Sequence, residues 1–168
     1  MKHEERIGKD GAPNDTRRSP AMRPGEEAVP LPAATDAGVY FIGRIRTPWA
    51  SRAECPKRGD PISGPLCRLE ITEPWRAALA GVDQHEHLQV LYWMHLARRD
   101  LVRQSPRSDG QTNGTFALRS PVRPNPIASA AVQLVEVEAA AIVVRGLDCV
   151  DGTPLVDVKP ERCPHAID

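Results

Sequence analysis

A period of two runs through most of this chain, and it limits the fold more than any other feature. In residues 39–46, Val39, Phe41 and Ile45 alternate with Tyr40, Ile42, Arg44 and Arg46. Cys67, Leu69 and Ile71 alternate with Arg68 and Glu70. Leu88, Val90, Tyr92, Met94 and Leu96 alternate with His87, Gln89, Leu91, Trp93 and His95, and Val135 and Val137 with Glu136 and Glu138. Residues 141–144 and 155–158 are short runs rich in β-branched side chains. A strand turns successive side chains to opposite faces, so each alternating segment offers one face to a core and one to water. Several such strands predict an all-β fold, a small closed β-barrel of six to eight strands, with eight about the smallest number that encloses a ligand. Only residues 73–80 read as a short helix, with Thr72 as N-cap and Pro74 at the first helical position. Long helices alternating with strands are missing, as is any G-x-G-x-x-G, which excludes a doubly wound nucleotide-binding fold.

Residues 1–37 differ from the rest. They hold five prolines, many charges and few large apolar side chains. They bury too little to offset the entropy of ordering, and read as a disordered N-terminal arm ahead of a barrel domain spanning 38–163. The whole chain has 22 basic and 22 acidic residues, so the molecule as a whole is not an obvious polyanion binder, although Arg outnumbers Lys by 18 to 4. Four scattered cysteines form no C-x-x-C pair. The His85-x-His87 half-site has no further ligand in sight, so no metal is expected. With no apolar leader and no apolar run of about 18 residues, no membrane association is expected. Scattered thiols fit a reducing, cytoplasmic setting.

Two segments carry chemistry. The first lies at the end of residues 97–126, which read as loop, and runs Arg119-Ser120-Pro121-Val122-Arg123-Pro124-Asn125-Pro126-Ile127. Each proline fixes its own φ and extends the residue before it, so Ser120, Arg123 and Asn125 are held straight in advance. A loop stiffened in this way loses little entropy on binding. Arg98, Arg99, Arg103, Arg107, Arg119 and Arg123 meet only Asp100 and Asp109 over this stretch, a local charge of +4. This is either a solvated loop or a landing surface for RNA phosphates. The second segment is Asp148-Cys149-Val150-Asp151-Gly152-Thr153-Pro154. Asp151-Gly152 is a strong turn signal, and serves either a hairpin alone or a ligand held by it. Trp93, between apolar neighbours, reads as core.

These segments resemble the signatures of the TsaA/YaeB-like (TrmO) family, roughly T-R-S-P-x-R-P-N-P-I-G-L-S and D-x-x-D-G-T-P-x-x-D-I-K-P-Y. The likeness covers about residues 38–160 and takes in Ile42–Pro48 and His87-Leu88. It implies a β-barrel that binds S-adenosylmethionine and methylates N6 of threonylcarbamoyladenosine-37 in a tRNA anticodon loop, working as a homodimer with the cofactor near the subunit interface. The cofactor residues it implies are Pro56, Lys57, Arg58, His87, Leu88, Arg119, Ser129, Asp148, Val150, Asp151, Gly152 and Thr153. Arg119, Arg123 and Asn125 would handle the acceptor. Departures from the pattern are Arg58 for Gln, Ala128-Ser129-Ala130 for Gly-Leu-Ser, and Glu161 for Tyr after Lys159-Pro160. The chain also closes soon after the second motif, where longer relatives carry a further domain. These departures leave open a different RNA or small-molecule acceptor, or a non-catalytic cofactor-binding barrel.

Overall fold

A computed structural model describes residues 21–107 and 109–161. The alternating segments become strands, numbered in chain order: β1 (Glu27–Ala28), β2 (Gly43–Arg46), β3 (Cys67–Ile71), β4 (His87–Trp93), β5 (Leu101–Gln104), β6 (Asn113–Gly114), β7 (Ile127–Glu138), β8 (Ala141–Arg145) and β9 (Thr153–Pro160). Six of them close a barrel in the order β2-β3-β8-β7-β4-β9, with neighbouring strands antiparallel all the way round. The inward row is the one alternation assigns. Ile45, Cys67, Leu69, Ile71, Leu88, Val90, Tyr92, Val132, Ile142, Val144 and Leu155 are buried together and fill the interior. Closure leaves none of these six strands with an open edge, so the backbone is satisfied around the ring.

Four local expectations change. The 39–46 strand begins only at Gly43, and Val39, Tyr40 and Phe41 are exposed. Tyr40 rests on Trp75 and Phe41 on Trp93, side contacts that stand in for core burial. The 73–80 helix is a 3-10 turn, Trp75–Leu79, with no side-chain cap. Thr72 Oγ1 donates to Ile42 O instead, and Trp75 N reaches back only three residues, to Thr72 O. In β7 the register against β8 slips between Leu134 and Glu136. A bulge inserts one residue and reverses the facing of the rest of the strand, so Val135 is exposed while Val137 packs on the core. Trp93 is half-buried rather than core, with Phe41 on its ring and the Arg99 guanidinium 5.4 Å from its centroid.

The 97–126 loop and the N-terminal arm hold more order than expected. β5 and β6 lie inside the loop, and β1 lies inside the arm; together they form a second, three-stranded sheet in the order β1-β5-β6. Of the arm, residues 1–20 lie outside the described residues, and 21–37 are described. Composition did not reveal the strand at Glu27–Ala28 because these residues borrow their partner, β5, from a distant part of the sequence. Among the described residues no helix is long and apolar enough to cross a membrane.

Candidate functional site

The first motif follows β6 and a 3-10 turn at Thr115–Ala117. Its prolines are reinforced by side chains that seize its carbonyls. Gln104 Nε2 donates to Thr115 Oγ1 (2.9 Å) and Val122 O (2.7 Å), and Thr115 Oγ1 donates to Leu101 O (2.7 Å). Arg99 Nε donates to Pro124 O (2.6 Å), and Met94 N to Pro126 O (2.8 Å), which ties the loop to the end of β4. Arg123 turns back into its own loop, where Nη2 donates to Leu118 O at 2.7 Å. Ser120 Oγ accepts from Val122 N. Arg119 is different. It is exposed, and no hydrogen bond or ion pair engages it among the described residues. Asn125 is also exposed, and only its backbone carbonyl is engaged, by Ile127 N.

The net charge of +4 stands, but fewer of these guanidiniums keep donors free for a ligand. Arg98 is paired with Asp100 at 2.8 Å, Arg99 is committed to Pro124 and Trp93, and Arg103 donates to Thr112 Oγ1. What remains faces a cleft of about 380 Å³, walled by Arg119-Ser120-Pro121-Val122 on one side and by Arg23, Glu26, Arg52 and Arg98 on others. A smaller apolar pocket adjoins it and shares Arg52 and Pro121 with it. That pocket is lined by Met94, Leu96 and Ala97 after β4, by Pro121 of the first motif, and by Val150 and Thr153 of the second. Segments far apart in sequence thus meet at one mouth of the barrel.

The second motif divides its labour by residue. Leu147 and Cys149 are buried. Asp151 accepts from Thr47 N (3.1 Å) and pairs with Arg46 (3.4 Å), and Asp151 N and Gly152 N donate to Trp49 O and Ile45 O. Gly152 sits at φ +77°, a conformation that favours glycine. Asp151 and Gly152 form the tight turn that the sequence signal announced, but the turn leads into β9 and closes no hairpin, because β8 and β9 are not neighbours in the barrel. Thr153 Oγ1 closes the turn on Val150 O at 2.7 Å. Asp148 faces the other way: its half-buried carboxylate accepts from Tyr92 Oη at 2.8 Å through Oδ1, while Oδ2 has no partner among the described residues. Burial, and then Asp148 beside it, push the Tyr92 phenol well above its ordinary range, so it stays a proton donor.

Pro56, Lys57 and Arg58 are exposed between two anchors on the second motif. On one side Cys55 lies near Asp148; burial first, and then that carboxylate, raise its thiol pKa. On the other, Gly59 is pressed against Gly146, where a Cβ would stand 1.9 Å from the Gly146 carbonyl oxygen. His87 and Leu88 are not drawn to this mouth. They begin β4, five and four residues before Tyr92, roughly 13–17 Å away along an extended strand. His87 is exposed opposite Gln133, Leu88 is core, and Ser129 Oγ accepts from Gln89 Nε2 on the outer face of the β4–β7 pair. Sequence reasoning missed Tyr92, Met94 and Arg52. Tyr92 had a signal: an inward hydroxyl in an alternating strand needs a buried partner. Among the described residues no three His, Cys, Asp or Glu side chains converge as a metal site.

The family described as the tRNA-methyltransferase O N-terminal domain matches residues 44–162. A probable S-adenosyl-L-methionine-binding protein, VirR of Rhizobium radiobacter, is 53% identical over 86% of this chain and 82% of its own length. The human tRNA (adenine(37)-N6)-methyltransferase is 33% identical over 83% of this chain. A crystal structure of TrmO from Pseudomonas aeruginosa superposes with a TM-score of 0.61, at 32% identity over 79% of this chain. The chain spans 57% of that solved chain and 36% of the human protein. With both signature segments meeting at one barrel mouth and the match running from β2 to the end of β9, this chain belongs to the tRNA-methyltransferase O N-terminal domain family.

Proposed function

We propose that the protein is an S-adenosylmethionine-dependent methyltransferase acting on N6 of threonylcarbamoyladenosine-37 in tRNA. The observation that carries this reading is the meeting of Pro121 with Val150 and Thr153 in one pocket, which opens on the cleft holding Arg119. The pocket side suits the cofactor. Met94, Leu96, Ala97, Pro121 and Val150 offer an apolar wall, and Asp148, two residues before Val150 in the second motif, keeps an unengaged carboxylate oxygen for an ammonium or ribose hydroxyl. The cofactor, when bound, supplies an electrophilic sulfonium methyl.

The chain's own part is to hold a poor nucleophile in line. The acceptor N6 is conjugated to a carbonyl, so positioning carries much of the rate. Arg119 binds the threonyl carboxylate or a flanking phosphate through its unengaged fork. Arg123 holds the loop that presents Arg119, and Asn125 offers its amide to acceptor or cofactor. The N6 proton would pass to the acceptor's own carboxylate or to water. Pro121 and the apolar wall exclude bulk water from the transfer.

As part of the same proposal, the enzyme works in the cytoplasm as a homodimer. The outward β4–β7 face, with His87 and Ser129, stands apart from the cleft of its own chain and completes the site of the second protomer. Sedimentation at the dimer mass supports this arrangement; a monomer that retains full activity contradicts it. The activity is tested by transfer of labelled methyl to two tRNA pools, one containing N6-threonylcarbamoyladenosine and one from cells unable to make it. Label in the first pool alone is expected. Label in both pools moves the reading to another RNA acceptor, and cofactor binding with label in neither makes the barrel a non-catalytic binder.

A further inference from the structure

The cleft has a wall from outside the family match. Residues 21–28 precede the matched region, 44–162, yet they dock beside the first motif as a strap. Glu27–Ala28 pair with β5, and Val29 N donates to Asp100 O at 2.9 Å. Glu26 accepts from Ser105 N (3.3 Å) with one carboxylate oxygen and from Arg23 N (2.9 Å) with the other. Arg23 Nη1 donates to both Ser105 O and Pro106 O, each at 3.1 Å.

Docked in this way, Arg23 lines the same cleft as Arg119. A guanidinium has five N–H donors, and the two on Nη1 hold the strap. The three on Nε and Nη2 have no partner among the described residues. The carbonyls that hold Arg23 are neutral, so its charge is uncompensated where they touch it, whereas Arg98 nearby is paired with Asp100. A fixed guanidinium plane with a free donor edge matches the oxygens of a phosphate. We propose that Arg23 binds a backbone phosphate of the acceptor RNA, so that the strap is an RNA-binding wall of the cleft. This rests on the tRNA reading above.

The test is the affinity of the full-length protein for tRNA bearing N6-threonylcarbamoyladenosine, measured by fluorescence anisotropy across a salt series. Wild type, Arg23→Gln and Glu26→Gln are compared, and hydrogen exchange at the Val29 amide reports whether the strap is docked. Arg23→Gln is expected to bind more weakly at low salt and to flatten the plot of log affinity against log salt by about 0.7 to 1. Glu26→Gln is expected to keep the wild-type slope. A wild-type slope in Arg23→Gln overturns the inference, as does an equal loss of affinity in both variants with slopes unchanged and Val29 protection lost, which marks the strap as structural only. A wild-type protein that binds no tRNA overturns the tRNA reading itself, and this inference with it.

Discussion

Single side chains at this barrel mouth either hold the site together or are kept free for a ligand, and burial separates the two groups. Tyr92 belongs to the first: its hydroxyl is the only described partner of the Asp148 side chain. Tyr92→Phe removes that donor and leaves a half-buried carboxylate under-satisfied, which costs about 1.5–3 kcal/mol for a hydrogen bond to a charged group. A urea-unfolding midpoint equal to that of wild type contradicts the assignment. The buried thiols set a pH limit. Burial pushes Cys67 up to about 11 and Cys149 up to about 12, from 9.0. A raised thiol pKa means that the folded state keeps its proton after the unfolded state has lost it. The stabilisation is therefore full below about pH 9 and declines as pH rises through 11 and 12. The urea midpoint is expected to fall between about pH 8 and pH 10.5, and less steeply in Cys149→Ala, which lacks one of the two thiols. A pH-independent midpoint contradicts this. At this scale the sequence named candidate residues without showing which way they face. Arg119 and Arg123 share one motif, and only the carbonyls of Thr115 and Leu118 turn Arg123 inward while Arg119 stays free.

Elements were legible where alternation was regular. Leu88, Val90 and Tyr92 point inward as their spacing requires, as do Cys67, Leu69 and Ile71. Alternation misleads at the bulge beside Val135, because one inserted residue reverses the facing and leaves no mark in composition. The second sheet was illegible for another reason. β1, β5 and β6 span only two to four residues each, too short for a period, and β1 pairs across more than 70 residues of chain. The loop that carries Pro56, Lys57 and Arg58 is fixed to the second motif by a backbone contact that only glycine permits. Gly59→Ala forces that contact apart and is expected to weaken S-adenosylmethionine binding along with a fall in melting temperature. Calorimetry that finds unchanged cofactor affinity places residues 56–58 outside the cofactor site.

For the whole molecule, the architecture follows from closure. Six strands in a ring leave an interior filled by side chains such as Ile45, Leu69, Val132 and Leu155, so there is no room for a ligand inside. In the proposed function binding takes place at the mouth, where loops from distant parts of the sequence meet, so neither motif alone would define the site. The chain as a whole carries no net charge, yet Arg23, Arg52, Arg98 and Arg119 line the cleft with Glu26 as the one acidic residue among its lining. The central claim is that the cleft side of this mouth, through Arg119, positions the acceptor for methyl transfer. Its most direct test is the single-turnover rate of Arg119→Ala on tRNA containing N6-threonylcarbamoyladenosine, with the melting temperature measured in parallel. The expected rate is lower by roughly 100-fold, the scale of a misplaced reactant, in a protein that melts like wild type. A wild-type rate in that variant contradicts the claim.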